Sequence, residues 1–435
     1  MSAARDPKSI INLGPMSLAQ WLAVLVTVGL NAMDGFDVLS ISFASPGIAR
    51  TWGVDKAMLG WVLSMELLGM AAGSVLLGGV ADKLGRRPTI LGCLLAMTAG
   101  MFGAAHAGAV STLLSWRLLT GLGIGGILAA INAAAAEFSN QHWRSVAMSF
   151  MVIGYPVGGV IGGIVVQHLL IDGGWRDVFV FGGWATAMFI PVVWFLLPES
   201  VAFLDRQRNP GALAAINRTL RRFGHATLDA LSTDSAATTR QSVMDIFKPG
   251  LIAVTVLVTL GYFLHVTSFY FIIKWVPKLV VDMGFQARAA ANVLTWANVG
   301  GATGVVLFGV IARRFGLKAL TIITLIGAGL MVIFFGRGSS DLASLARTVA
   351  FAGVFTNGAI AGFYLIFAKV FPTHVRATGT GFAIGAGRGG SALAPILAGY
   401  LFQAGFGLQA VATMMAMGSL LSAAALLMLR VRDAE

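Results

Sequence analysis

Charged residues are scarce in this chain. They make up 11% of the sequence, whereas soluble domains carry about 25%. Apolar residues reach 57%, and the mean hydropathy is +0.83. These values exclude an ordinary soluble domain, and they predict an integral membrane protein.

Cysteine and histidine are also rare, with one and six copies. Cys93 has no partner for an intrachain disulfide and lacks redox or zinc spacing. The histidines are scattered, with no pair at the spacing of metal ligands, so we expect neither a metal nor a cofactor. A nucleophile with a nearby base is not recognisable either, and catalytic residues are not expected.

Apolar runs of the length needed to cross a bilayer, about 20 residues, recur along the chain. The polar start "MSAARDPKSI" is not followed by a cleavage site, and the next run is too long for a signal peptide, so it should remain as the first span. The predicted spans are 18–43, 58–80, 88–107, 111–136, 146–170, 177–197, 250–276, 290–311, 319–336, 344–368, 378–403 and 407–429. Twelve internally hydrogen-bonded helices are predicted, rather than a β-barrel.

The Lys and Arg residues are distributed unequally between the two sides of the predicted membrane. With the start inside, 20 of the 30 Lys and Arg residues lie on the inner side and seven on the outer side. This positive-inside bias predicts a multi-pass protein of the cell membrane with both termini in the cytoplasm. The net charge of +12 is explained in this way, and no nucleic-acid partner is expected.

The sequence also repeats at an offset of 231 residues. "ADKLGRR" (81–87) recurs as "ARRFGLK" (312–318), and "GYPVGG" (154–159) recurs as "GAGRGG" (385–390). The repeat predicts an all-α membrane protein with two pseudo-symmetric six-helix bundles, at residues 1–200 and 250–435. Residues 201–249 are predicted to form a cytoplasmic connector. Transporters with this architecture bind substrate between the halves, near mid-membrane.

Several motifs resemble those of the major facilitator superfamily: "GGVADKLGRRP" between spans 2 and 3, "RLLTGLGIGG" in span 4 and "LPESVAFL" after span 6. Within that superfamily, "DGFD", "KWVPKLV" (274–280) and "FPTHVRATGTG" (371–381) resemble the aromatic acid:proton symporters. "GLGIGG" also matches a dinucleotide fingerprint, but no strand precedes it. Close helix packing is therefore the better interpretation.

The resemblance implies a charge latch that closes the cytoplasmic side in one state; the alternative is a membrane-anchoring basic loop. In the second half, Arg313 stands at the position of Asp82 and Lys369 where many members have Glu, so a one-sided latch is expected. The predicted cytoplasmic gate residues are Asp82, Arg86, Arg87, Glu137, Arg144 and Arg376.

Asp34 and Asp37 lie three residues apart in the first span and share one helix face. Ionised carboxylates are costly inside a bilayer, and burial and mutual repulsion both favour the protonated form. We predict that this pair forms the proton-coupling site, with Arg117 as its counter-charge. The alternatives are a helix cap at Gly35 or an ion pair for the aspartates, and an arginine at the membrane interface for Arg117.

Arg388 aligns with Val157 in the repeat, so the fold does not require a cation there. A guanidinium inside span 11 calls for an anion and suits a carboxylate. We predict that Arg388 holds the substrate carboxylate, although a structural ion pair is an alternative. The predicted ring-binding residues are His265, Tyr262, Tyr270, Trp296, Asn298 and Tyr364.

These features together predict a monomeric proton-coupled symporter that imports an aromatic carboxylate, such as a hydroxybenzoate, by alternating access. Two alternatives remain open at the level of sequence. One is a proton-coupled carrier of another organic anion or sugar acid. The other is a proton-driven drug exporter of the same superfamily, for which Arg388 would be of little use.

Overall fold

The computed structural model describes residues 6–207, 209–231, 243–312, 314–372 and 375–429, and these are helical, without a strand. The short helices are α1 (Pro7–Leu13), α8 (Val201–Gln207), α9 (Ala212–Arg222) and a 3₁₀ turn at Val243–Phe247. The long helices of the first half are α2 (Leu18–Trp52), α3 (Lys56–Leu84), α4 (Arg86–Ala105), α5 (Val110–Phe138), α6 (Arg144–Asp172) and α7 (Trp175–Leu196). Those of the second half are α10 (Ile252–Asp282), α11 (Ala287–Ile311), α12 (Leu317–Gly336), α13 (Leu342–Val370), α14 (Arg376–Gln403) and α15 (Leu408–Met428).

Twelve long helices therefore match the twelve predicted spans. Eleven of those described are long and apolar enough to cross a membrane. The other, α14, is 28 residues long, but its glycines and Arg388 make it more polar. The prediction of an all-α membrane fold is confirmed.

Local sequence sets the turn between α2 and α3. Gly53 ends α2 in the left-handed conformation, at φ 59°, which glycine adopts without strain. The Asp55 carboxylate then accepts a hydrogen bond from the Met58 amide at 2.7 Å and caps α3. The first span was predicted to end at residue 43, but α2 continues through Pro46 to Trp52, because its last turns pack closely on Trp175 of α7.

We call the side on which α2 begins and α15 ends the terminal face, and the opposite side the far face. The two halves meet through α3 with α14, α6 with α11, and α2 with α10. Near the far face, Trp61 donates to the Tyr400 hydroxyl at 3.3 Å, and Lys56 lies 3.8 Å from Asp282. These contacts close the far face.

The halves separate toward the terminal face. Arg388 of α14 still touches α3, donating to the Met70 carbonyl at 3.1 Å. Gly385 and Gly381 precede Arg388 by three and seven residues and lie on the same side of α14. A Cβ added to either glycine would have no atom within 4 Å. A cleft between the halves thus opens to the terminal face, as in one state of an alternating-access carrier.

Glycines allow α6 to lie against α2. A Cβ on Gly158 would lie 1.8 Å from the Ala32 carbonyl oxygen, and one on Gly154 would lie 2.5 Å from that of Val28. The backbones can approach this closely only without side chains. This contact fixes the helix turn that carries Asp34.

We expect Gly158→Ala to destabilise the protein by about 1–3 kcal/mol, the usual cost of overpacking, because the obstacle is backbone. The measurement is the thermal unfolding midpoint of the purified protein in detergent. Gly79→Ala is the control, since a Cβ at Gly79 meets nothing within 4 Å. Equal midpoints for the two variants would contradict the expectation.

Candidate functional site

A buried ion-pair cluster joins the two halves at the closed end of the cleft. Glu66 of α3 lies 2.5 Å from Arg117 of α5 and 3.5 Å from Lys274 of α10, and all three side chains are fully buried. Lys274 also donates to the Val38 carbonyl of α2. Since α10 belongs to the second half, the Glu66 carboxylate links the halves electrostatically.

The close packing of α3 and α5 positions the Glu66 and Arg117 pair. A Cβ on Gly121 would lie 2.0 Å from the Glu66 carbonyl oxygen, and one on Gly69 would lie 2.4 Å from that of Leu118. The glycines of "GLGIGG" therefore serve helix packing, as predicted. Arg117 lies four residues before Gly121, and this close packing brings its guanidinium within reach of the Glu66 carboxylate.

Asp34 and Asp37 are both buried beside this cluster. The Thr186 hydroxyl lies 3.5 Å from Oδ2 of Asp37. Arg117 reaches the backbone carbonyl of Asp37, at 3.1 Å, rather than its carboxylate. Within the described ranges, neither carboxylate oxygen of Asp34 has a hydrogen-bond partner; the charges that act on it are Arg388, Glu66 and Lys274.

Two tyrosines, Tyr155 and Tyr270, interact electrostatically with Asp34. The hydroxyl of Tyr270 lies close to that of Tyr155. Tyr270 is also within electrostatic reach of Arg388. Arg388 itself is partly buried, and its guanidinium donates to a backbone carbonyl.

Three aromatic rings pack together next to the turn of α14 that carries Arg388. The Tyr262 ring packs on Gly387, where a Cβ would lie 2.3 Å from it, and its hydroxyl is 3.4 Å from that of Tyr364. Tyr364 is 41% exposed, and Phe367 packs edge-on against Tyr262 at 5.6 Å between centroids. An anion on Arg388 would therefore have aromatic faces and phenol donors beside it.

His265 lies apart from this group. Its Nε2 donates to the Thr356 carbonyl at 3.0 Å, so Nδ1 accepts from the Ser419 hydroxyl at 2.9 Å. Both nitrogens of a neutral imidazole are thus satisfied inside the second half.

Asn298 and Trp296 are also outside the tyrosine group. Asn298 lies at the contact between α11 and α6, where a Cβ on Gly159 would lie 2.6 Å from its side-chain oxygen. Trp296 is 47% exposed and shares its helix face with the exposed Thr303 and Val310. Its spacing of seven and fourteen residues from them puts it on the outer surface of α11.

Three of the predicted gate residues form a network within the first half. Arg86 of α4 binds Glu137 of α5 through two hydrogen bonds, at 3.1 and 3.3 Å, and Asp82 of α3 at 2.8 Å. Glu199 accepts the backbone amides of Arg86 and Arg87, at 2.9 and 3.2 Å, and so caps α4. Burial raises the pKa of Glu199, while these accepted hydrogen bonds act in the opposite direction.

The remaining gate residues bind helix ends. The Arg87 guanidinium donates to the Trp194 carbonyl at 2.6 Å. Arg144 donates to the Ala136 carbonyl at 3.1 Å rather than binding Glu137. Arg376 donates to the Phe371 carbonyl at 3.3 Å. Arg313, named for the second half, lies outside the described residues.

Sequence reasoning missed Glu66 and Glu199 and gave Lys274 no role. The signal for Glu66 was present: it is an acid inside an apolar run, as Asp34 is. Lys274 stood at the edge of a span predicted to end at 276, but α10 extends to Asp282. Glu199 lies in the quoted "LPESVAFL" but was not singled out.

A separate cavity of about 1130 Å³ lies at the far face. Its lining includes four cations and two acids: Arg50, Lys56, Lys278, Arg288, Asp55 and Asp282. Among the described residues, no group of three or more His, Cys, Asp or Glu side chains could hold a metal ion.

Membrane-length helices in two six-helix sets, with buried charges around a cleft open to one side, define a secondary transporter rather than an enzyme. The chain belongs to the Major Facilitator Superfamily, whose sequence profile matches residues 26–293 and 258–435.

Known relatives support this assignment. The gallate transporter of Pseudomonas putida is 29% identical, over 98% of this chain and 95% of the relative. The 4-hydroxybenzoate transporter PcaK of the same species is 30% identical, over 89% and 87%. An inward-open structure of the xylose transporter XylE from E. coli superposes with a TM-score of 0.73 at 16% identity, covering 95% of this chain and 96% of that one.

Proposed function

We propose that the protein is a proton-coupled symporter that imports an aromatic carboxylate, such as a hydroxybenzoate. One observation carries the proposal: the partly buried Arg388 and the buried, unpartnered carboxyl of Asp34 interact electrostatically with each other and with Tyr270. A cation for the substrate and an acid for the proton thus lie in one cleft. The relatives named for gallate and 4-hydroxybenzoate support this substrate class.

The substrate carboxylate binds the Arg388 guanidinium, which is suited to two parallel hydrogen bonds. The ring lies among Tyr262, Tyr270 and Tyr364, whose hydroxyls can bind ring substituents. His265, Asn298 and Trp296 are not part of this site, because the first two are engaged elsewhere and Trp296 lies on the outer surface.

The excess of Lys and Arg on the terminal face favours a cytoplasmic location for that face. Both termini would then be cytoplasmic, the membrane would be the bacterial inner membrane, and the structure would be inward-open. The far-face cavity would receive substrate from outside, and its surplus of cations suits an anion.

In this proposal, the two transported ligands neutralise buried charges of the protein. A proton on Asp34 or Asp37 and a carboxylate on Arg388 remove buried charge, so the loaded cleft can close and reopen on the other side at lower cost. Coupling requires that each ligand bind the two conformations differently. The Lys274 and Glu66 pair is a contact between the halves through which a change of conformation can be linked to the buried charges.

The test is uptake of radiolabelled 4-hydroxybenzoate by proteoliposomes under an inward proton gradient. The proposal expects accumulation, with competition by protocatechuate and benzoate. A second candidate, a carrier of organic anions without a ring, would show competition by aliphatic or sugar acids instead. No uptake of any acid by the wild type would overturn the proposal and favour a drug exporter.

We expect Arg388→Lys to weaken substrate binding by about tenfold, equivalent to 1.4 kcal/mol, because an ammonium cannot make the paired hydrogen bonds of a guanidinium. Arg388→Ala should weaken it further. Binding is measured by substrate titration of tryptophan fluorescence in detergent. Arg337→Lys on the far face is the control, and equal affinities for both lysine variants would remove Arg388 from the site.

A further inference from the structure

The buried charges around the cleft cancel. Three acids and three cations take part: Asp34, Asp37, Glu66, Arg117, Lys274 and Arg388. Five of them are at most 1% exposed, and Arg388 is partly buried. When all six are ionised, their net charge is zero.

The six side chains form one connected set. Glu66 pairs with Arg117 and Lys274. Asp37 interacts electrostatically with Arg117, Glu66 and Asp34, and Asp34 interacts with Arg388, Glu66 and Lys274. The electrostatic partners of Asp34, Asp37 and Lys274 all belong to the same six residues.

The other titratable neighbours are neutral. Tyr155 and Tyr270, which face Asp34 from α6 and α10, carry no charge as phenols. A neutral His265 has both ring nitrogens satisfied, Nε2 by the Thr356 carbonyl and Nδ1 by the Ser419 hydroxyl, so it adds no charge. The charge count therefore depends on the six side chains alone.

From this balance we propose that the carrier moves one proton with one singly charged carboxylate, and that transport is electroneutral. The inference rests on the function proposed above and adds the stoichiometry and the charge of the substrate. With all six side chains ionised, the empty set is neutral. One proton makes its net charge +1, and one monoanion returns it to zero, so neither form that crosses the membrane leaves a net charge in a low-dielectric interior.

The arrangement at Asp34 agrees with this order of charges. Neither oxygen of its carboxyl has a hydrogen-bond partner among the described residues, so the proton can bind there without breaking a hydrogen bond. The surplus positive charge then lies nearest the cleft at Arg388, whose partner in the other half is a backbone carbonyl. A dianion at this site would leave an uncompensated negative charge.

The first experiment uses the full chain in proteoliposomes with 4-hydroxybenzoate at pH 7, where its carboxyl is ionised. Valinomycin and potassium set the membrane potential at a fixed pH gradient. We expect the same uptake at interior-negative, zero and interior-positive potential, and one proton taken up for each substrate. Faster uptake at interior-negative potential would show that more than one proton moves, and would overturn the inference.

Glu66→Gln gives a second test, in which uptake is expected to change its response to the membrane potential. The empty set would then carry a charge of +1 with both aspartates ionised, and substrate alone would neutralise it. We expect uptake that no longer requires a proton gradient and that an interior-positive potential accelerates. Asp205→Asn removes a carboxylate at the terminal face that pairs with Lys8 and lies outside the six-residue set; it is the control and should behave as wild type.

Different results would contradict the proposed function and the proposed stoichiometry. If the wild type takes up no aromatic acid, the proposed function fails. If it does so but follows the membrane potential, only the stoichiometry fails. If Glu66→Gln does not fold, the potential and proton measurements on the wild type still decide.

Discussion

Asp34→Asn is expected to abolish accumulation driven by a proton gradient while leaving substrate exchange intact. The asparagine matches the carboxylate in size but cannot carry the transported proton. The variant therefore keeps alternating access and loses the link to the gradient, and the final ratio of internal to external substrate should fall to about 1. Gradient-driven uptake and counterflow of labelled 4-hydroxybenzoate, measured in the same proteoliposomes, separate the two activities.

The pair of assays distinguishes coupling from folding. A misfolded protein would lose both activities, whereas an uncoupled carrier loses only accumulation. Asp205→Asn is the matched control, because Asp205 pairs with Lys8 at the terminal face and is not among the buried charges of the cleft. Normal accumulation by Asp34→Asn would assign the proton to Asp37 or Glu66 instead.

The number and type of the long helices could be predicted because each span must satisfy its own backbone in hydrocarbon. Helix ends were less predictable, since the apolar run and the helix do not end together. The first span was placed at 18–43, but α2 ends at Trp52. The span that carries Lys274 was likewise predicted to end too early, at residue 276. In the structure α10 continues to Asp282, so Lys274 lies eight residues before the end of the helix.

The contents of the site were partly predictable. The burial of Asp34 and Asp37 was expected from their setting and is observed. Arg117 was expected as their counter-charge, but it pairs with Glu66 and reaches only the carbonyl of Asp37. A single sequence does not reveal that α3 brings Glu66 to Arg117 at that depth, because helix packing decides which of several buried acids an arginine meets.

Residue type alone was a poor guide to the ring-binding surface. Tyr262, Tyr270 and Tyr364 come together near Arg388, whereas Trp296 lies on the outer face of α11 and His265 is held by Ser419 and Thr356. A helix in a bundle has interior and lipid-facing sides of similar composition. Only contacts between helices distinguish the two.

The gate network bears on how the terminal face opens. Arg86 holds α3, α4 and α5 together through Asp82 and Glu137, all within the first half. It can therefore stiffen this half as a rigid body while the cleft is open. The proposal of a one-sided latch stays a prediction for the closed state, in which the same carboxylates could meet the second half.

Arg117→Met is expected to lower the free energy of unfolding by about 3–5 kcal/mol, the cost of breaking a buried ion pair from one side. Methionine retains much of the volume but removes the partner that lies 2.5 Å from Glu66. It also frees the Asp37 carbonyl and gives the six-residue set a charge of −1. Transport should be lost as well, because the surplus negative charge opposes binding of a carboxylate.

The double variant Arg117→Met/Glu66→Gln separates charge balance from packing. It removes one charge of each sign, so the set returns to zero, and we expect it to be more stable than Arg117→Met alone. Arg347→Met is the control; its exposed pair with Asp341 should contribute less than about 1 kcal/mol. Thermal midpoints in detergent provide the comparison. If the losses of the two single variants simply add in the double variant, the residues act through packing, and neutrality of the buried set does not stabilise this protein.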